Sequence, residues 1–255
     1  DYPLLGKGTA LGHLMECVGQ ICGGYFADGV KKQVPNLGNL GYPVAEIKND
    51  GSFHITKLKD SGGMVTTATC KEQLLYEVHD PSAYLTPDVV ADFSNITLKE
   101  IEKGKVEVYG ASGKALTGKL KVSVGYHDGY MADAQISYGG SYALERAQLA
   151  IEIVKERLRA KNLEVEDILF DLIGINSLFK EYTSDIYPQE LRLRIAAKTK
   201  TKETAVKLVN EVETLYTNGP AAGGGISKLV TEVIAIQSIL IDKKKVVPKV
   251  EYFKS

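Results

Sequence analysis

Three cysteines, Cys17, Cys22 and Cys70, are too few and the wrong number for a disulfide framework. Sparse thiols of this kind suit a reducing compartment, so the expectation is a cytoplasmic protein with free cysteines. No apolar run approaches the roughly 20 residues of a membrane-spanning helix. The start lacks the basic, apolar and small-residue succession of a secretory signal. A formal net charge of −1 removes any bulk attraction to nucleic acid or to an acidic membrane surface. Chemical signatures are missing too. There is no G-x-G-x-x-G between a strand and a helix, no H-E-x-x-H, no paired C-x-x-C and no G-x-S-x-G elbow. A Met-Lys-Met biotin motif is also absent. These gaps argue against a self-contained dehydrogenase, zinc protease, serine hydrolase or biotin carrier.

What is present is ordinary globular composition, 44% hydrophobic and 25% charged over 255 residues, enough for one large domain or two small ones. Residues 9–22 read as a helix, with Thr9 as N-cap and Gly23-Gly24 as the stop. Residues 25–69 look irregular and β-rich, with turn signals at Asp50-Gly51 and Gly62-Gly63 and a weak strand at "SFHIT". "CKEQLLYEV" (70–78) reads as a short helix, and "VVADF" and "KVEVYGA" as strands. From 119 the pattern sharpens. "KLKVSVGYHDGYMADAQISY" is a long strand region broken near Asp128-Gly129. "SYALERAQLAIEIVKERLRAKN" repeats apolar residues at helical spacing. "DILFDLIGI" and "ELRLRIAAKT" are strands joined by a polar loop holding Pro188. "KETAVKLVNEVETLY" is a second amphipathic helix, and "KLVTEVIAIQSILI" a closing strand. The fold class is therefore α/β (α+β). A mixed, β-rich first part, residues 1–117, precedes a ferredoxin-like β-α-β-β-α-β second part, residues 118–255. Residues 119–241 should form a four-stranded antiparallel sheet with both helices on one face.

The stretch "GHLMECVGQICGG" (12–24) holds the best chemical candidates. At 100° per residue, His13, Glu16, Cys17 and Gln20 share a polar face. A histidine beside a thiol stabilises thiolate, and a carboxylate orients the histidine. The alternative is a helix packed on a sheet, with His13 and Glu16 hydrogen-bonded and Cys17 buried as a small hydrophobe. Gly12, Gly19 and Gly23 form a stripe that suits close approach by a backbone, a ligand or another chain. "YEVHDP" adds His79 and Asp80, a potential base with its orienting partner, or simply a helix terminus and an Asp-Pro turn. His127 and Asp128 in "GYHDGY" fit a bulge as well as chemistry. His54 reads as structural. In "TNGPAAGGG", Asn218, Gly219, Gly223, Gly224 and Gly225 offer a backbone nest for an anionic ligand, though a helix stop explains Asn218-Gly219. The trio His13, Glu16 and Cys17 could also ligate a metal, though no metal site is assigned, and the sequence leaves the cofactor open.

Six stretches, "GHLMECVGQICGGYFAD", "LGYPVAEI", "QLLYEVHDPSAYLTPDVVADF", "LKVSVGYHDGY", "FDLIGINSL" and "LYTNGPAAGGG", together resemble the acyclic terpene utilisation (AtuA) family. They run in family order across nearly the whole chain. The resemblance implies a link to bacterial breakdown of acyclic terpenes and related branched acids through CoA thioesters. It also implies a C-terminal portion or one half of a split protein, because longer family members carry a region ahead of "DYPLLGKG". With Asp1 in place of an initiator Met, the expected partners are an N-terminal half or separate subunit, or a second copy of the chain. The preferred reading is a metabolic enzyme, or half of one, acting on an organic acid or acyl thioester. The other is a non-catalytic assembly or scaffold subunit. Convergence of distant polar groups on one pocket would favour the enzyme.

Overall fold

A computed structural model of the chain describes residues 1–179 and 188–253. The chain divides into two units, residues 1–122 with 238–255, and residues 123–237.

The first unit opens with α1 (Tyr2–Glu16), followed by a 3-10 turn, Val18–Cys22. The helix thus starts seven residues before Thr9. Pro3 in its first turn has a fixed φ that suits the start of a helix. Thr9 sits inside the helix, its hydroxyl donating to the Leu5 carbonyl at 2.9 Å. Gly6 and Gly8 hide this turn from a propensity reading. Gly6 has a reason: a Cβ there would fall on the Ser112 carbonyl, so the glycine lets the helix touch strand backbone. The expected stripe behaves differently. Gly19 is met by Leu40, whose Cδ2 would lie 2.9 Å from an added Cβ, and Gly23 (φ +95) by Val34, while Gly12 has nothing within 4 Å.

A four-residue helix, α2 (Gly29–Lys32), leads to the hairpin β1 (Pro43–Ile47) and β2 (Phe53–Lys57), turned at Gly51 with φ +76. Then comes α3 (Thr67–Leu75). It starts three residues earlier than the apolar pattern predicts, because Thr66 and Thr69 exchange side-chain-to-backbone bonds in a capping box. Five short strands follow: β3 (Tyr84–Leu85), β4 (Val90–Asp92), β5 (Thr97–Glu102), β6 (Lys105–Tyr109) and β7 (Ser112–Lys114). They complete two sheets, ordered β1-β2-β6-β5 and β3-β4-β7. Leu14, Ile21, Phe53, Ile55, Val65, Val106 and Val108 form one core, and Ala10, Val89, Ala91 and Phe93 another.

The strand β8 (Lys119–Gly139) runs through Asp128-Gly129 without ending; Gly129 takes φ +88, and pairing with the next strand begins beyond it, at Tyr130. In the second unit α4 (Ala143–Ala160), β9 (Asp167–Ile173), β10 (Glu190–Thr199), α5 (Lys202–Glu213), the short α6 (Leu215–Asn218) and β11 (Gly223–Asp242) follow. The polar loop expected before β10 falls, over 180–187, outside the described residues. The sheet order is β11-β8-β10-β9, and β10 is antiparallel to both neighbours. Both helices share one face: Ala147, Ala150 and Val154 of α4 and Ala205, Leu208 and Val212 of α5 join Ile136, Leu193 and Ile195 in one core. The opposite face carries a polar ladder, with Arg194 between Asp133 (2.6 Å) and Asp171 (3.3 Å).

Candidate functional site

The polar face of α1 meets the segment after α3. Helix α1 ends at Glu16 because Cys17 leaves helical geometry (φ −89, ψ 22) and Val18 takes φ +41, a strained position for a β-branched residue. Helix α3 ends at Leu75, and Glu77, at φ +57, turns the chain ahead of His79 and Asp80, which line one cavity with Glu16. Strain thus falls on both segments that build the site, and Glu77 is itself part of the wall.

Between them lies a cavity of about 620 Å³, lined by Glu16, Glu77, His79, Asp80, Tyr84 and Lys121, among others. His13 stands behind Glu16, buried to 3% exposure. Its ring packs against both Tyr84 (centroids 5.6 Å apart) and Phe93 (5.9 Å), which stack on each other at 5.2 Å. Nε2 is 3.1 Å from the Leu74 carbonyl oxygen. A carbonyl only accepts, so Nε2 carries the hydrogen. Nδ1 is thereby turned toward Glu16, whose Oε1 is 2.7 Å away but out of line for a hydrogen bond, leaving Nδ1 without a formal partner. The main chain is pinned as well: Gln73 Nε2 donates to the His13 carbonyl at 3.0 Å, while Gln73 Oε1 is buried and unpartnered. Two of the three orphaned buried side-chain atoms among the described residues therefore belong to this one contact. Such atoms are rare in folded proteins and call for a reason.

Carboxylates dominate the local field. Burial pushes the Tyr84 hydroxyl up from its ordinary pKa, and the charges of Glu16 and Glu77 push the same way. Glu77 raises Tyr76 through its charge and a hydrogen bond. Asp80 is held low instead, because the Ser82 hydroxyl (2.7 Å) and amide (2.9 Å) donate to its Oδ1. That carboxylate is engaged in its own turn and does not orient His79. Lys121 brings a cation to the wall.

Of the candidates, Glu16, His79 and Asp80 line this cavity and His13 supports it from behind. Cys17 caps α1, half-buried, and is not among the lining residues. The glycine-rich segment belongs to the second unit, where each feature has a local account. Asn218 ends α6. A Cβ on Gly219 would lie 2.5 Å from the Leu215 carbonyl, and one on Gly223 2.9 Å from the Tyr138 ring. Gly225, at φ +63, offers its carbonyl to Arg192 at 2.9 Å, and Gly224 is unhindered. His127 is 3.3 Å from Glu232, Asp128 pairs with Lys198 at 2.7 Å, and His54 with Glu46 at 2.7 Å. Sequence reading missed Lys121, Tyr84 and Phe93. They lie in stretches that carry the family resemblance, but their periodicity does not show that β3, the end of β4 and β8 bring them to this site. Among the described residues no cluster of His, Cys, Asp and Glu has metal-holding geometry, and no helix is long and apolar enough to cross a membrane.

These features define a mixed α/β protein with a buried histidine–carboxylate contact in the wall of a polar cavity. The chain belongs to the acyclic terpene utilisation family (AtuA), whose model matches residues 1–252. No curated protein and no solved structure matches it.

Proposed function

We propose that this protein is an enzyme of acyclic terpene or branched-acid breakdown, acting on an organic acid or acyl thioester by general acid–base chemistry. The observation that carries the reading is the orientation of His13. Its Nε2 hydrogen is committed to Leu74, so Nδ1 faces a carboxylate that is itself 47% exposed to the cavity. Glu16 is the group that touches substrate and moves a proton to or from carbon next to the carbonyl. His13, whose Nδ1 lies 2.7 Å from Oε1, positions Glu16 from behind. His79 and Lys121 face the same space and supply a second proton carrier and a cation for a carbonyl or carboxylate oxygen. An apolar groove of about 550 Å³ has Leu74, Leu75, Pro81, Phe93 and Ile96 in its wall; its Phe93 stacks on Tyr84 of the Glu16 cavity, and the groove accommodates a hydrocarbon part.

The test is proton exchange. Branched acids and their thioesters are incubated with the protein in D2O, and deuterium at the carbon beside the carbonyl is followed by NMR. The expected result is exchange by the wild type and a loss of about 10²–10⁴-fold in Glu16→Gln. Equal exchange by both proteins, or none by the wild type, would reject the assignment.

The strand order of the second unit supports a ferredoxin-like reading, with the first and third strands inside and the second and fourth at the edges. One observation favours the other function, an assembly subunit. Edge strand β11 exposes Ile234 (59%), Ile236 (71%) and Leu240 (58%). On that reading a separate subunit or a second copy pairs with β11, and sedimentation of the full chain shows a complex. The cytoplasm, suggested by three free cysteines, is the compartment we propose.

A further inference from the structure

A second cavity in the first unit, about 650 Å³, has the opposite electrostatic character. Lys32, Lys57, Lys59 and Lys103 line it against a single carboxylate, Glu100. The chain as a whole carries −1, so this concentration is a matter of placement and not of composition. Nor is the charge spent on ion pairs. Among the described residues neither Lys59 nor Lys103 has a carboxylate within ion-pair distance, and Lys32 reaches only Asp28, at 3.5 Å on the exposed flank of α2. Lys57, half-buried, donates to the Ser61 and Leu58 carbonyl oxygens. Those neutral acceptors fix its ammonium in place and leave its charge intact. Its field is felt inside the core: burial pushes the Cys22 thiol up to about 11, and Lys57 opposes that rise.

The backbone gives these lysines fixed platforms. Lys103 stands on the β5–β6 turn, made by Gly104 at φ +77. Gly63, at φ +83, lies so close to the Cys22 carbonyl and Leu40 that no larger residue fits, which seats the 57–66 loop against the core. Met64 and Val65 add an apolar stretch to the wall. Like-charged ammonium groups gathered without counter-charge repel one another, and a multiply charged anion relieves that repulsion. Lysine serves as a point-charge partner for phosphate.

We propose that this cleft binds a phosphate-bearing ligand, its phosphates against Lys57, Lys59 and Lys103 and any attached apolar or planar group against Met64 and Val65. The site is separate from the Glu16 cavity and stands whether or not the acid–base reading holds. Two sources share the chemistry, free polyphosphate and nucleotide, and the probes separate them. Inorganic pyrophosphate and ADP are titrated into the full chain by calorimetry at low salt. The expected result is saturable binding that weakens about tenfold or more in Lys59→Gln/Lys103→Gln and falls as salt is raised. Lys155→Gln on α4 is the control and binds as wild type. ADP tighter than pyrophosphate identifies a nucleotide; equal binding identifies the phosphates as the whole ligand. Absence of binding by both probes, or equal binding by the double variant with its circular dichroism unchanged, would overturn the proposal. Protection of Lys59 and Lys103 from amine acetylation by ADP, read by mass spectrometry, gives a second measure that does not depend on the variants.

Discussion

Glu16 is half exposed while His13 behind it is sealed, and that contrast separates their chemical roles from their structural ones. Replacing His13 opens a hole beside the stacked Tyr84 and Phe93 rings and frees the Leu74 carbonyl, so His13→Ala should lower stability by about 1–3 kcal/mol in urea unfolding. Glu16→Gln keeps the volume and should move the unfolding midpoint little. The thiols make an independent check on this end of the molecule. Burial raises Cys22 to about 11 and, with Cys22 alongside, Cys70 to about 12. Thiolate is the reactive form, so both should resist a thiol reagent at pH 8, and half-buried Cys17 should react first. Counting labelled thiols before and after urea should give one and then three. At Gly6, an alanine forces helix and strand apart and should cost about 1–3 kcal/mol. Glu16 and Asp80 were legible in the sequence as candidates because each lies within three residues of one of only four histidines, His13 and His79. Lys121 was not, since one lysine among many in a strand carries no local mark of the cavity it faces.

At the scale of elements, α5 is tied to α4 by Glu211, buried to 3%, which accepts from Arg157 at 2.7 Å and pairs with Lys161. Burial alone would raise this carboxyl, but the two cations hold it below the usual carboxylate range. A carboxyl whose folded pKa is depressed stabilises the fold above its unfolded value, near 4.3 for glutamate, and loses that contribution as pH falls through the folded value. This contribution should therefore be full and independent of pH near neutrality and be lost in acid. Glu211→Gln should remove that part of the acid loss. It should cost about 1–2 kcal/mol at pH 7, less than a fully buried pair, because Arg157 and Lys161 keep part of their hydration. Urea midpoints from pH 3 to 7 measure both. The periodic elements, α4, α5, β9 and β10, were readable because one face of each is buried in a single core. The first helix was misjudged at both ends: its opening depends on backbone packing at Gly6 and its close on a strained Val18, neither of which leaves a periodic trace. Strands β3 and β7, two and three residues long, are too short to show alternation.

For the whole molecule, separate hydrophobic cores in the two units predict separable cooperative unfolding. Leu193 is fully buried in the second unit, and Leu193→Ala should cost about 2–5 kcal/mol there. Calorimetry should show one transition shifted and the other in place, with the Glu16 and four-lysine cavities, both of the first unit, intact. A single transition displaced as a whole would show that the cores melt together.

The first unit is interrupted: its residues 1–122 are rejoined only by 238–255, where the Lys243 amide donates to the Gly118 carbonyl at 2.9 Å and the Lys243 ammonium to that of Pro87 at 2.7 Å. On the ribosome this reverses the usual order of maturation. Residues 123–237 are contiguous and can close as soon as they emerge, whereas residues 1–122 must wait for 238–255 to be synthesised. Of the two units, the one begun first is completed last. A chain truncated before residue 238 should therefore have a second unit that resists protease while its first is cut.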